Sequence, residues 1–300
     1  MTSIDVGHLR RWVGRSRSDE DVIAARHARL MAATVDYFAS ERIREGENLP
    51  ALWHWLYFLE GVPARELGGD GHPARGDFLP PVPLPNRMWA GGRVHFAAPV
   101  PIGSTARRIS TVTSVEHKQG RTGDLVFVTV SHAIESLTGA ALVREEHDIV
   151  YRNPSPPIAA GERTVGTASA AQGAADANAR TNAAMSAEFT RRFTPTSTTL
   201  FRYSALTFNG HRIHYDADYC RDVEGYPNLV VHGPLVATLL ANLAEEVTGT
   251  PLREFRYRAQ APAFLGATLT LAGERREGGL AVRAMTDDGR ILMQADAIIG

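Results

Sequence analysis

One pattern of strands occurs twice along this chain of 300 residues. In each half a strand, a proline, a glycine and a second strand follow one another, as RVHFAAPVPIGSTARRISTV and later as EFRYRAQAPAFLGATLTLAG. Each half then ends in a hairpin of two long strands in which apolar and polar residues alternate. A repeat of this kind predicts two copies of one structural unit in a single chain.

A long apolar helix distinguishes the second half. Residues 233–247 read GPLVATLLANLAEEV, and Pro234 stands where the first helical turn tolerates proline. The sheet of the second unit is expected to wrap this helix, because its apolar face is wide. The corresponding part of the first half is rich in glycine and proline, so we expect the first unit to have lost its helix. The apolar positions of the helix at 233–247 are Leu235, Val236, Leu239, Leu240, Leu243 and Val247.

Residues 153–185 are rich in proline, alanine, glycine and threonine and nearly free of large apolar side chains. Such a segment cannot close a core and reads as a linker. It divides the chain into a degenerate first unit, residues 1–152, and a complete second unit, residues 186–300. With 44% apolar residues the chain can bury the cores of both units. The predicted fold class is therefore α+β, with an antiparallel sheet around a helix in each unit.

Local patterns predict three further elements. Residues 19–38 have helical periodicity, with a capping pattern formed by Ser18 and Asp21. Residues 49–60, LPALWHWLYFLE, fit either a buried strand or a short helix, and their aromatic residues favour the strand. Residues 199–208, TLFRYSALTF, read as a strand.

Composition excludes several classes of function. The formal net charge of −1 provides no field that would attract nucleic acid or an anionic membrane. Lys118 is the only lysine, and it lies in a predicted turn, so chemistry based on a phosphate loop or a Schiff base is disfavoured. The single cysteine, Cys220, fits a reducing compartment, and no apolar leader or membrane span is present. These features predict a cytoplasmic protein with no metal or redox cofactor.

Residues 208–216, FNGHRIHYD, gather several titratable groups shortly before the segment LVVHGP opens the long helix. A helix N-terminus offers unpaired N–H groups and a partial positive charge, which suit negative charge developing on an oxygen. A histidine nearby can move protons near neutral pH. This combination, in a chain without a nucleophile motif, indicates proton transfer next to a carbonyl group.

On these residues the chain resembles the MaoC-like, (R)-specific enoyl-thioester hydratases and dehydratases of the hot-dog fold. The family signature, G-D-x-N-P-x-H, has a catalytic aspartate five residues before a catalytic histidine. His214 occupies the histidine position here, whereas Asn209 replaces the aspartate. The segment HGPL at 232–235 matches the family's opening of the central helix. The wording of FNGHRIHYD and VEGYPNLVVHGPL is similar to a double hot-dog branch that contains mesaconyl-C4-CoA hydratases, itaconyl-CoA hydratases and mitochondrial-type dehydratases.

The resemblance implies roles for individual residues. His214 would take a proton from water and deliver it to the α-carbon, while Asn209 orients that water. The N–H of Gly233 would stabilise the enolate oxygen. Arg212 would meet a substrate carboxylate or a CoA phosphate, and Tyr203, Ser204 and His232 would line the substrate. Each has a plainer interpretation as well: a turn residue, a helix start, a surface charge or a packing residue.

The resemblance also implies a substrate and an assembly. The substrate would be a CoA thioester of an α,β-unsaturated acid, with a short branched dicarboxylic acyl group first among the candidates. The chain would be a monomer that mimics a dimer, or a homodimer, with one active site per chain.

Other functions remain open at this stage. A hydroxyacyl-thioester dehydratase of fatty-acid synthesis would use the same residues. A hot-dog thioesterase would need a carboxylate, for which Asp216 is the candidate in the loop. His214, Asp216 and His232 imitate a two-histidine, one-carboxylate iron site. A non-catalytic acyl-CoA-binding module is the remaining alternative.

Overall fold

The structure of the chain is a computed structural model that describes residues 4–120, 123–153 and 187–300. Ten strands are the main elements of regular structure among these residues. Those of the first half are β1 (Ser16–Val22), β2 (Asn86–Phe96), β3 (Thr105–Gly120), β4 (Gly123–Ser136) and β5 (Ala141–Arg152). Those of the second half are β6 (Phe189–Phe193), β7 (Leu252–Ala259), β8 (Leu269–Arg276), β9 (Gly279–Thr286) and β10 (Ile291–Ile299).

All ten strands form one antiparallel sheet in the order β1-β3-β4-β5-β2-β7-β10-β9-β8-β6. The order reads symmetrically from the middle, because β2 and β7 are neighbours and each is followed outward by the other strands of its own half. The repeat predicted from the sequence is therefore present in the topology. The two predicted sheets are continuous with each other through the β2–β7 pair.

The helices are few. They are α1 (Val6–Leu9), α2 (Ala25–Val35), α3 (Ser197–Thr207), α4 (Ala217–Tyr219) and α5 (Gly233–Thr248). Turns of 3₁₀ helix occur at Arg10–Trp12, Ser40–Arg42, Trp53–Leu56, Ala64–Glu66 and Arg212–His214. Among the helices of the described residues, none has both the length and the apolar content that crossing a bilayer would require.

The long apolar helix is confirmed as α5. Its side chains from Leu235 to Ala244 are buried, and Gly249 ends it in the left-handed conformation. Strands β7, β8, β9 and β10 all contact it. The helix is thus apolar on more than one face because the sheet and the rest of the core surround it.

The prediction of a strand at residues 199–208 is wrong, because the segment lies in α3. Thr196 caps this helix by accepting a hydrogen bond from the N–H of Thr199, whose hydroxyl accepts one from the N–H of Thr196. The buried residues, Leu200, Tyr203 and Leu206, recur at the helical spacing of three. Capping and one-sided burial outweigh the aromatic and β-branched composition that favoured a strand.

Two predictions in the first half need correction. The helix expected from residue 19 begins only at Ala25, since residues up to Val22 pair with β3. Asp21 does not cap that helix; its carboxylate accepts hydrogen bonds from the N–H groups of Val22 and Phe58. The favoured strand at 49–60 is also wrong, because Trp53–Leu56 form a 3₁₀ turn whose aromatic residues fill the core.

The elements of the two halves follow one another in the same order, except that only the second half has a long helix between its first helix and its last four strands. A strand, a helix and then β2 to β5 in the first half correspond to β6, α3 and β7 to β10 in the second. Where the second half has α5, the first half has the 3₁₀ turn and the glycine- and proline-rich segment, so the loss of the helix is confirmed for the described residues. The linker predicted at 153–185 lies almost wholly outside them and stays a prediction, as do the domain boundaries.

Two glycines allow the halves to join. A Cβ on Gly91 would lie 2.6 Å from the carbonyl oxygen of Tyr257, and one on Gly92 would lie 2.6 Å from the Tyr257 hydroxyl. That hydroxyl accepts a hydrogen bond of 2.7 Å from the indole N–H of Trp89. The β2–β7 contact therefore requires residues without a side chain on the β2 side.

A buried carboxylate supports the same region. Glu145 on β5 is 5% exposed and accepts hydrogen bonds from His54 Nε2, at 2.9 Å, and from the indole N–H of Trp55. Burial alone would raise the pKa of Glu145, but the hydrogen bond and charge of His54 lower it to about 2. The ionised carboxylate thereby fixes two aromatic rings beneath the junction of the halves.

The junction gives a first prediction. Gly91→Ala should lower the free energy of unfolding by about 1–3 kcal/mol, because the added methyl group overlaps the backbone of β7. Chemical denaturation of the purified protein measures this change. Gly61→Ala is the matched control, since nothing lies within 4 Å of a Cβ at that position. Equal stability of the two variants would contradict the proposed closeness of the strands.

Candidate active site

The turn after α3 shapes the first part of the site. Phe208 ends the helix in the left-handed conformation, and the N–H of Asn209 donates to the Ser204 carbonyl at 2.9 Å. The amide oxygen of Asn209 accepts a hydrogen bond of 3.0 Å from the N–H of His211. Asn209 thus acts as a turn residue. Its predicted role of orienting water is untested and stays a prediction.

His214 lies behind this turn and is 7% exposed. Its Nδ1 lies 2.8 Å from the carbonyl oxygen of Val230. A carbonyl oxygen can only accept, so Nδ1 carries the proton and Nε2 of the neutral ring keeps its lone pair. Burial lowers the pKa of His214 to about 4 in spite of the hydrogen bond to Val230. The side chain is neutral at pH 7, and its pKa is lower than the value near 7 expected from the sequence.

His232 stacks on His214, with ring centroids 3.5 Å apart and an angle of 18° between the planes. Its Nε2 shares a hydrogen bond of 2.8 Å with the Ser204 hydroxyl, and the Tyr203 ring meets it edge-on at 4.9 Å. His232 is fully buried, and burial holds its pKa well below the usual value. Tyr203 and Ser204, predicted to line the substrate, support His232 in this structure.

Gly233 is the first residue of α5 and follows His232 directly. The first N–H groups of a helix have no acceptor within the helix. The Gly233 N–H also has no acceptor elsewhere among residues 4–120, 123–153 and 187–300. It therefore lies beside the histidine pair as a free donor at the positive end of a 16-residue helix.

Arg212 is engaged in contacts within the protein. Its guanidinium donates to Asp216 at 2.7 and 3.0 Å and to the Gly69 carbonyl at 3.1 Å. It also lies over the Tyr219 ring. These contacts fix the signature turn, and they leave a substrate carboxylate only the guanidinium N–H groups that Asp216 and Gly69 do not use. The predicted substrate contact of Arg212 stays untested.

A loop from the first half also reaches the site, which was not predicted. The Arg212 N–H donates to the Asp70 carbonyl at 2.9 Å, and a Cβ on Gly71 would lie 2.0 Å from the Gly210 carbonyl oxygen. Gly71 also has a positive φ of 85°. A residue with a side chain at position 71 would hold the two loops apart. The contact places Asp70 and His72 against the signature turn.

Asp70, His72 and His211 form a compact group. Their side-chain donor atoms lie within 4.8 Å of one another, and Asp70 Oδ2 is 3.5 Å from His72 Nδ1. Burial lowers the pKa of His72, and it lowers that of His211 to about 2. Burial would raise the pKa of Asp70, but the contacts with His72 hold it below its usual range. At pH 7 the group contains one carboxylate and two neutral imidazoles.

Among the residues that the structure describes, this group is the one set whose donor atoms lie close enough together to hold a divalent metal ion. Tetrahedral zinc with bonds of about 2.1 Å would hold its donor atoms about 3.4 Å apart, so the group would have to contract. The sequence signal for this loop is Asp-x-His at 70–72 within a glycine-rich segment. Only its long-range contact with residues 209–212 reveals its place.

The Asp216 carboxylate is hydrogen-bonded within the protein. Besides Arg212, it accepts a hydrogen bond of 2.9 Å from the N–H of Tyr219 and so caps α4. The thioesterase alternative required this carboxylate to act on substrate, and the iron-site alternative required it to join His214 and His232. Both alternatives lose support, because the carboxylate serves to hold the turn.

A family model described as hydroxyacyl-thioester dehydratase type 2 matches residues 52–265. The chain belongs to this family. The mesaconyl-C(4)-CoA hydratase of Chloroflexus aurantiacus is 41% identical over 289 residues, which cover 96% of this chain and 97% of that protein.

Solved structures confirm the fold. A MaoC-like dehydratase from Phytophthora capsici superposes with a TM-score of 0.67 at 13% identity, with 99% of each chain covered. A Mycobacterium tuberculosis protein described as having a double hotdog fold gives a TM-score of 0.58 at 12% identity, covering 95% of this chain and 96% of that one. The predicted double hot-dog fold and the predicted family are thus confirmed, and the predicted enzyme class, a hydro-lyase, is that of the family.

The buried histidines give a second prediction. Burial lowers the pKa of six of them below the usual 6.5, so the unfolded chain binds more protons than the folded chain as the pH falls below 6.5. The free energy of unfolding should be highest above pH 6.5 and fall between pH 6.5 and 4. Below pH 6.5, each histidine that stays neutral in the folded chain lowers the free energy of unfolding by about 1.4 kcal/mol per pH unit. The six buried histidines are His72, His132, His147, His211, His214 and His232.

Urea denaturation at several pH values between 8 and 4 measures this dependence. Glu245, whose pKa burial raises to about 7, and Glu224, whose pKa burial also raises, act in the opposite direction but are fewer than the histidines. A free energy of unfolding that stays constant down to pH 5 would show that these histidines are not buried in the neutral form.

Proposed function

We propose that this protein catalyses the reversible addition of water to the α,β double bond of an enoyl-CoA thioester. The product is the 3-hydroxyacyl-CoA. Water gives its oxygen to the β-carbon and one proton to the enzyme, and the electron pair of the double bond moves to the α-carbon. That carbon then takes a proton from the enzyme, so no net charge accumulates.

The observation that carries the proposal is the fixed tautomer of His214. Its Nδ1–H is held by the Val230 carbonyl at 2.8 Å, which leaves Nε2 as a proton acceptor. Because burial keeps the ring neutral, the acceptor is available over a wide pH range. Once protonated, a buried imidazole with a lowered pKa is a strong acid, so it returns the proton to the α-carbon readily.

The N-terminus of α5 supports the negative charge of the intermediate. The thioester oxygen becomes an enolate oxygen while the α-carbon awaits its proton. The Gly233 N–H is a free donor next to the histidine pair, and the helix dipole adds a partial positive charge there. The donor and the base belong to adjacent segments, 212–214 and 233–248, which the hydrogen bond between His214 and Val230 ties together.

The acyl group that we propose is short, branched and dicarboxylic, as in mesaconyl-C4-CoA. The support is the 41% identity to a mesaconyl-C(4)-CoA hydratase over almost the whole of both chains. A hydroxyacyl-thioester dehydratase of fatty-acid synthesis is the second candidate, which the description of the family model favours.

A buried carboxylate on the substrate needs a cation, and arginine binds carboxylates with two hydrogen bonds. Arg87 on β2 is better placed for this than Arg212. No carboxylate among the described residues lies within ion-pair distance of Arg87, whereas Arg212 is held by Asp216. Burial lowers the pKa of His72 and of His211, and the Arg87 charge lowers both further, which supports Arg87 as a cation for this part of the site.

Location and assembly stay predictions. The single cysteine, Cys220, is buried and unpaired, which fits a reducing compartment such as the cytoplasm. The continuous sheet across β2 and β7 supports a monomer that mimics a dimer, although a homodimer of such chains is compatible with it.

The third prediction tests the reaction itself. The loss of enoyl-thioester absorbance should be observed with mesaconyl-C4-CoA and, more slowly, with crotonyl-, itaconyl- and long-chain enoyl-CoA. His214→Ala should lower kcat by about 10²–10⁴-fold, because the proton acceptor is removed. Its circular dichroism and Tm show whether the variant is folded. A folded variant with nearly normal turnover would exclude His214 as the base, and a wild type that hydrates none of these thioesters would exclude the function.

The fourth prediction separates the two arginines. Arg87→Ala should reduce kcat/KM for mesaconyl-C4-CoA by about 10- to 100-fold, because a hydrogen-bonded ion pair with the substrate is lost. Its effect on crotonyl-CoA should be small. Arg212→Ala should reduce kcat/KM equally for both substrates, because the substitution loosens the turn. The reverse pattern would show that Arg212 holds the substrate carboxylate.

A further inference from the structure

The signature turn has no free carboxylate. Asn209 stands at the position of the family's aspartate, and Asp216 is bound by Arg212. Addition of water needs the water to be held as well as deprotonated, since one acceptor alone leaves its orientation undefined. The Asn209 amide oxygen uses one of its two lone pairs to accept a hydrogen bond from the N–H of His211, and it is neutral where the family's carboxylate is charged, so a further acceptor on another residue would strengthen the hold on the water.

The loop of the first half supplies acceptors at the same place. His72 contacts the His211 ring with centroids 4.3 Å apart, and the His211 ring meets the His214 ring at 5.6 Å. The contact between Gly71 and Gly210 and the hydrogen bond from Arg212 to Asp70 hold this loop on the turn. The His72 ring is therefore positioned by backbone contacts that side-chain motion cannot easily undo.

The Asp70 carboxylate lies beside the His72 ring. Its Oδ1 accepts a hydrogen bond of 3.0 Å from the His72 backbone N–H, and its Oδ2 lies 3.5 Å from His72 Nδ1, which makes no hydrogen bond among the described residues. A carboxylate beside Nδ1 favours the tautomer that carries its proton there. In that tautomer His72 Nε2 is an acceptor, as His214 Nε2 is through the Val230 carbonyl.

Exposure also favours His72 as the residue that meets water. The side chains of Asp70 and His72 are 19% and 22% exposed, whereas His214 is 7% exposed and His232 is fully buried. Water enters a closed site most easily beside its partly exposed residues. The row of rings from His72 to His232 thus runs from the solvent side of the site to its interior.

We propose that His72 is a second catalytic residue, which accepts a hydrogen bond from the attacking water while His214 takes the other proton. Asp70 is a positioning residue, which holds His72 in the accepting tautomer. The pair takes the place of the carboxylate that Asn209 removes from the signature. This inference rests on the proposed hydration reaction and adds the first half of the chain to its active site.

Three variants test the roles. His72→Ala should lower kcat by about 10²-fold with little change in KM, because the water loses its second acceptor. Added imidazole should restore part of the rate, since the cavity left at a partly exposed position admits it. Asp70→Asn should lower kcat at least about 10-fold, because an amide N–H beside Nδ1 favours the wrong tautomer, and Asp70→Glu should retain more activity.

A second histidine–aspartate pair provides the control. His117 Nε2 lies 2.7 Å from Asp124 on the β3–β4 hairpin, away from the site. His117→Ala and Asp124→Asn should leave kcat and KM unchanged. Circular dichroism and Tm of all variants separate loss of activity from loss of fold.

The outcomes are distinct. Normal kcat in folded His72→Ala, or a loss that imidazole does not restore, would overturn the catalytic role. Inactivation of the wild type by a chelator, with recovery on addition of zinc, would overturn it in favour of a metal site at Asp70, His72 and His211. If the wild type hydrates enoyl-CoA and His214→Ala is inactive while His72→Ala is not, this inference alone fails and the proposed function remains.

Discussion

The close approach of β2 to β7 is the contact on which the rest of the molecule depends. Gly91 and Gly92 let the two backbones meet where any side chain would collide with Tyr257. One sheet then extends through both halves, so their relative position is fixed by a ladder of hydrogen bonds. The segment that leads into β2 is carried with it against the second half. The contact between Gly71 and Gly210 follows from that arrangement.

Burial determines the chemistry of the histidines brought together there. A neutral imidazole is far cheaper to bury than a charged one, so the pKa falls and the ring remains a hydrogen-bonding acceptor. Three of the rings have a nitrogen facing an oxygen: His214 at Val230, His232 at Ser204 and His72 at Asp70. The oxygens of Val230 and Ser204 hydrogen-bond their rings, whereas the Asp70 carboxylate acts on His72 Nδ1 through its charge at 3.5 Å. In the proposed site these polar groups are thus positioned without substrate, which is how positioned polar groups assist a reaction.

The sequence was sufficient for the features that depend on local pattern. The repeat of strands and the apolar helix that begins at Gly233 are read from patterns along the chain, and the signature turn around His214 is recognised from its resemblance to a family motif. Helix α3 was missed because its composition favours a strand. The deciding features are the hydroxyl of Thr196 at the cap and burial along one face, which appears only in the folded core.

The loop at Asp70 and His72 was missed for a different reason. About 140 positions separate it from the signature turn, and no periodicity within either segment indicates that they meet. What connects them is the pairing of β2 with β7 and two glycines at one point of contact. Three-dimensional neighbours of this kind are a property of the assembled sheet, and the isolated motif Asp-x-His gives no reason to expect them.

The loss of the first helix explains why a loop was available for this purpose. In the first half, the interval between α2 and β2 holds the short turn Trp53–Leu56 in place of a long helix. That turn packs on the surviving helix, where the Trp53 indole N–H donates to Asn242 at 3.0 Å. One helix thus packs in the core of both halves, and its N-terminus is the one at which we propose that the enolate oxygen binds. The chain between the turn and β2 forms no long helix, and it extends across the interface to contact the signature turn of the other half.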